Sequence, residues 1–152
     1  MSSARPLPTV IGPTENALRA LLSEILSATR IGSYAAWVVL NAAADPAAAS
    51  SGGRWRLGVA DALKIGPDAV DDVLARLRAA GLVDGAGGLT PLGAVELAAA
   101  RSTVSATTSR LVDGIGEEEQ AIARKVLDHV RRRANDLTSP GRSSAATAGS
   151  AP

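Results

Sequence analysis

The chain has 152 residues, enough for one domain with a real core, and an apolar share of 46% says that most of it folds. With 16 basic residues against 15 acidic, the net charge of +1 disfavours strong non-specific binding to polyanions. Cysteine is absent, which excludes disulfides, thiolate catalysis and Cys-based metal sites, and no apolar run approaches the roughly 18 residues that span a bilayer. The aromatic residues are Tyr34, Trp37 and Trp55, so Leu, Val, Ile and Ala must build the core. The opening "MSSARPLPTVIGP" lacks the apolar centre of a signal peptide, and a soluble cytoplasmic protein is expected.

Residues 1 to 13 read as a flexible, extended arm, because Pro6, Pro8 and Pro13 oppose an early helix. A helix over 14–29 follows, with Leu18, Leu21, Leu22, Ile25 and Leu26 on one face. Gly32 ends it, and Ser33 caps a second helix that carries Tyr34, Trp37, Leu40 and Asn41 three or four apart. "DPAAASSGG" at 45–53 reads as a loop. A short helix at about 57–64 turns through Ile65 and Gly66 into a helix over 67–80, with Pro67 in the first turn and Gly81 past the end. Leu82 and Val83 start a strand, "DGAGG" turns it, and Leu89 starts the return. Thr90 and Pro91 open a long helix over 91–112. A last helix over 117–137 has acids at its front and arginines near its back, as the macrodipole favours, with a narrow apolar stripe of Ala123, Val126, Val130, Ala134 and Leu137. The tail at 139–152 is low-complexity and expected to be disordered.

The expected fold is therefore mainly α with a small two-stranded β-wing: a winged helix-turn-helix head at about 54–90, inside a domain spanning 14–138. Helices 14–29, 91–112 and 117–137 flank it as dimerisation helices. A reading helix of this size fits the major groove of B-DNA, and a homodimer sets two such helices roughly 34 Å apart over a palindromic site. The plainer alternatives are a generic helical corner and a monomer that covers its own stripes.

The residues facing DNA are then Arg54, Arg56, Lys64, Asp68, Asp72, Arg76 and Arg78. If Val70, Val73, Leu74 and Leu77 face inward, the outward face of 67–80 centres on Asp68, Asp72, Ala75 and Ala79, with Arg76 and Arg78 on its flanks. Arg76 is four residues after Asp72, a spacing that suits a surface pair. Asp accepts from cytosine N4 but repels phosphates, and Asp68 in a first turn also has an ordinary role opposite the helix dipole.

Catalysis finds little support. His129 stands between Asp128 and Arg131 on the last helix with no partner set for nucleophilic or metal chemistry. "EEE" at 117–119 is a helix start, and "GAGG" lacks the strand-then-helix setting of a phosphate loop. No catalytic residue, metal or cofactor is expected.

Several stretches together resemble the MarR family of winged helix-turn-helix regulators. They are "ENALRALL" with "WVVLN", "VADALKIGPDAVDDVLARLRAAGLVD", "LTPLGAVELAAAR" and "RRRANDL", spread over residues 14–137. The resemblance implies a homodimeric transcription regulator, often a repressor, whose DNA affinity a small, often aromatic ligand lowers. It also implies a ligand pocket beneath the head. Here that pocket would be formed by Leu22, Leu26, Tyr34, Trp37, Leu40, Asn41 and Leu97, with Arg101 to hold an anion. Trp37 and Leu40 read equally as plain core. Family wings are longer and carry an arginine for the minor groove. "DGAGG" has none, so that anchor does not carry over. The competing reading is a winged-helix protein that has lost DNA binding and serves as a ligand-binding or interaction module, or as an enzyme built in the ligand pocket.

Overall fold

The computed structural model describes residues 5–138, so the expected disorder of the tail at 139–152 lies outside the described residues. The chain divides into two compact units, Met1–Ser109 and Arg110–Pro152. Seven helices run in order: α1 (Leu7–Ser27), α2 (Tyr34–Ala43), α3 (Pro46–Ser50), α4 (Trp55–Leu63), α5 (Pro67–Ala79), α6 (Pro91–Leu111) and α7 (Glu117–Thr138). No described helix is long and apolar enough to cross a membrane.

α1 starts seven residues before the expected boundary at 14, so residues 7–13 are helical rather than an extended arm. The prolines explain why this is allowed. Pro6 is the N-cap and Pro8 lies in the first turn, where a missing N–H costs nothing. Pro13 alone sits inside the helix, and the Thr14 hydroxyl donates to the Val10 carbonyl beside it at 2.8 Å. Gly32, at φ 77°, donates back to the Leu26 carbonyl and closes α1. Ser33 then caps α2 as expected, its Oγ accepting from the Ala36 N–H at 3.2 Å.

The stretch 45–53 is not all loop. Asp45 accepts from the Ala47 N–H at 2.9 Å and Pro46 begins the one-turn α3. α4 starts at Trp55, two residues before the expected 57, and so takes in Arg56.

The core lies where α2, α4 and α5 pack against one another, with α1 and α3 against α2. Leu26, Val39, Leu40, Val59, Val70, Leu74, Leu77, Leu82 and Leu97 are buried there. α5 gives it Val70, Val73, Leu74 and Leu77, the face that its helical period dictates. α6 joins through Gly93, Leu97 and Ala100, spaced four and three apart.

The two-stranded β-wing is not formed. Among the described residues there is no strand, and the segment keeps a single antiparallel bridge between Val83 and Leu89. The reason is local. Asp84 folds the loop onto itself, its Oδ1 accepting from the Ala86 and Gly88 N–H groups at 2.9 Å each. The Asp84 N–H bonds the Gly88 carbonyl at 2.8 Å, which uses up the turn. Beyond Leu89, Thr90 already caps α6 and Pro91 has no N–H, so no ladder extends. The result is a helical fold with a tight turn at 84–88 where a wing was expected.

In the second unit, Glu119 accepts from the Gly116 N–H at 3.0 Å, and Gln120 donates to the Ile115 carbonyl at 2.9 Å. The first contact is one half of a capping box, since Gly116 has no side chain to return it. No residue of α7 is buried.

Candidate functional site

α4, the residues 64–66 and α5 form a helix-turn-helix corner. Lys64 makes the turn in the left-handed region, at φ 54°. Its N–H bonds the Ala60 and Asp61 carbonyls, and the Ile65 N–H bonds the Ala60 carbonyl at 3.0 Å. Gly66, extended, passes the chain to Pro67. The opposite side of α5 is open: Asp68, Asp71, Asp72, Ala75, Arg76, Arg78 and Ala79 are all exposed.

The structure sorts the five expected cations by what they already hold. Arg78 donates through Nε to the Asp84 carbonyl at 3.0 Å and through Nη2 to the Gly85 carbonyl at 3.4 Å. It therefore pins the turn at 84–88 to the last turn of α5. Arg56 reaches Asp71 with Nη1 at 3.4 Å, and its guanidinium carbon lies 5.8 Å from the Trp55 ring centre. Both are occupied with structure. Arg54 donates to the Ser51 carbonyl at 3.1 Å, Lys64 pairs with Asp61 at 3.0 Å, and Arg76 leans on the Asp72 carbonyl at 3.4 Å. Arg76 thus meets the backbone of Asp72 and not its carboxylate, which corrects the expected pair. These three contacts are exposed and weak, so phosphates compete with them readily.

The expected ligand residues divide in two. Leu26, Leu40 and Leu97 are buried in the core, and Trp37 packs against it. Asn41 and Arg101, 60 residues apart, meet: the Arg101 Nε donates to the Asn41 Oδ1 at 2.9 Å, and the Asn41 Nδ2 donates to the Trp37 carbonyl at 2.8 Å. The arginine assigned to an anion thus already has a neutral partner. Tyr34 and Leu22 are half-buried, and the Arg19 guanidinium lies 5.3 Å from the Tyr34 ring centre. Arg19 also pairs with Glu15, and Arg30 reaches Glu96 at 3.4 Å.

Among the described residues, two clefts on this unit stand out. One, of about 230 Å³, lies between Arg30–Ser33 and α5 and includes Arg76. The other, of about 550 Å³, lies between α3, the start of α4 and the turn at 84–88. Neither is lined by Tyr34, Trp37 or Asn41. Sequence spacing had no means of finding the second, because its walls are mostly Ala and Gly from separate segments, joined by Trp55, Arg56 and Asp84. His129 is exposed on α7, and no metal-ligating cluster occurs among the described residues. Comparison with protein-family models, with curated proteins and with solved structures gives no significant match.

Proposed function

We propose that the chain is a homodimeric helix-turn-helix regulator that binds double-stranded DNA, acts as a repressor, and has its DNA affinity changed by a small planar ligand. One observation carries this reading. α5 is held from behind by α2 and α4, follows a tight left-handed turn, and lays its whole opposite face in solvent. A helix so presented enters the major groove without any part of the core being uncovered. The resemblance to MarR-type regulators supports the same reading, with the turn at 84–88 in place of a wing. Such a protein works in the cytoplasm and needs no catalytic residue or cofactor.

Dimerisation rests on α7. Val126 and Leu137, both on the apolar stripe, are 38% and 78% exposed on a helix that buries nothing, so a second copy is the natural cover for that stripe. Arg54, Lys64 and Arg76 supply the phosphate contacts.

A second reading has its own observation. Asp68 and Asp72 are exposed on the first two turns of α5, the end that a reading helix turns toward bases. An acidic head of this kind suits a protein partner, and the chain would then be an interaction module that no longer binds DNA.

Fluorescence anisotropy on the chain's own upstream DNA and on scrambled DNA, over a salt series, separates the two. Three cations per subunit predict a slope of log K against log salt of about −5 for the dimer. No preference for the native sequence, with weak binding even at low salt, rejects the DNA reading.

A further inference from the structure

We propose that the cleft between residues 30–33 and α5 holds a phosphate group. Two sources can supply that group, a free phosphate ester or the backbone of duplex DNA, and only the second rests on the DNA-binding reading. The cleft measures about 230 Å³. Small-molecule sites run from roughly 300 to 1,000 Å³, so this one takes a single chemical group and not a whole ligand. The remainder of the molecule that carries the group stays outside.

The lining fixes the chemistry. Arg30 and Arg76 stand one on each wall, the first on the segment between α1 and α2 and the second on α5. No lining residue is acidic. On the open face of α5 three aspartates outnumber two arginines, whereas the cleft has cations alone. Both arginines are loosely held. Arg30 meets Glu96, which is not part of the lining, at 3.4 Å. Arg76 meets the Asp72 carbonyl through Nε at 3.4 Å, which among the described residues leaves both of its Nη groups open. Ser33 supplies a third donor. Its Oγ accepts from the Ala36 N–H at 3.2 Å, so the hydroxyl proton is left for an anion. Ile31, Val73 and Leu77, all buried, make the floor. An apolar floor offers no acceptor to repel an anion and keeps the local dielectric low, which strengthens the hold of the two guanidinium groups. A carboxylate has two oxygens in one plane. A phosphate has its oxygens in a tetrahedron, which two forked cations and a hydroxyl on two walls satisfy together.

The first probe is inorganic phosphate, titrated into the full chain against chloride at constant ionic strength while the amide NMR spectrum is followed. Saturable shifts are expected at Gly32, Ser33 and Ala80 and at the side-chain N–H groups of Arg30 and Arg76, and none with chloride. Arg30→Gln and Arg76→Gln each weaken phosphate at least about fivefold, as the loss of a charge-assisted hydrogen bond dictates. Ala80→Glu sets a carboxylate in the cleft and abolishes the shifts. All three positions are exposed, so the variants keep the fold. The second probe is the upstream duplex over the salt series. If the group belongs to DNA, Arg30 joins Arg54, Lys64 and Arg76, the slope steepens from about −5 to about −7, and Arg30→Gln returns it to about −5. If the group belongs to a free ester, the phosphate shifts stand and Arg30→Gln leaves the slope unaltered. Phosphate binding without duplex binding rejects the DNA reading and keeps the cleft. The proposal is overturned when Arg30→Gln leaves the slope unaltered and inorganic phosphate gives either no saturable shift or shifts that chloride reproduces or that persist in Ala80→Glu.

Discussion

A Cβ on Gly93 would stand 1.9 Å from the carbonyl oxygen of Leu82. No side-chain adjustment relieves this, because the neighbour is backbone. The helix α6 therefore starts in direct contact with the residue that leads into the turn at 84–88. Thr90 locks the same junction, its hydroxyl donating to the Gly81 carbonyl at 2.6 Å and accepting from the Gly93 N–H at 3.0 Å. Gly93→Ala is expected to destabilise the chain by about 2–3 kcal/mol, the upper part of the range for overpacking. Denaturant unfolding measures this, and a change within experimental error of zero would mean that α6 shifts freely.

Lys64 is the one non-glycine described residue in the left-handed region. A β-carbon there costs roughly 1 kcal/mol, so Lys64→Gly is expected to raise stability by about 0.5–1 kcal/mol. Under the DNA reading, the same change removes one of the cations proposed to contact phosphate in each subunit. The salt slope on DNA should fall in magnitude by about 2 for the dimer. Thermal unfolding reads the first effect and the salt series the second, and a more stable protein with an unaltered slope removes Lys64 from the DNA interface.

Val126 is 38% exposed and lies on the apolar stripe of α7. A glutamate there places a charge at the centre of any helix-to-helix seam. Val126→Glu should convert a dimer into a monomer in sedimentation experiments without loss of helical signal. If the wild-type chain already sediments as a monomer at micromolar concentration, the dimeric reading fails at once.

Asp72 is exposed on α5 and has Arg76 on its carbonyl, not on its carboxylate. Under the DNA reading its charge repels phosphates and takes part in base selection. Asp72→Asn should strengthen binding to scrambled DNA several-fold and narrow the gap between native and scrambled sequences. An unchanged affinity for both in anisotropy would place this face of α5 away from the duplex.

Local chemistry made most helices legible. Ser33, Pro67 and Gly81 each mark a boundary through a rule that involves only near neighbours, and the buried face of α5 follows from its period alone. What failed depended on context. By sequence the prolines at 6, 8 and 13 oppose a helix, although two of them occupy the cap and first turn where a helix accepts them. Apolar residues on either side of a Gly-rich turn suggest a wing, but Asp84 closes that turn too tightly, and Thr90 and Pro91 begin α6 too soon. Of the candidate site, spacing placed the outward face of α5 correctly. It had no access to Arg56 with Asp71, 15 residues apart, or to Arg101 with Asn41, because those meetings are made by the fold and not by the helix period.

The grip of Arg78 on the Asp84 and Gly85 carbonyls has a mechanical meaning. A wing attached by a strand ladder swings about its own hinge. Here Arg78 ties the tip to the end of α5 beside the Leu82 N–H bond to the Leu77 carbonyl, so a tilt of the helix is passed to the tip along two routes. A tilt of α5 by a few degrees moves residues 84–88 with it, and a label on the exposed Ala86 would follow the orientation of α5 from the far end of the arm.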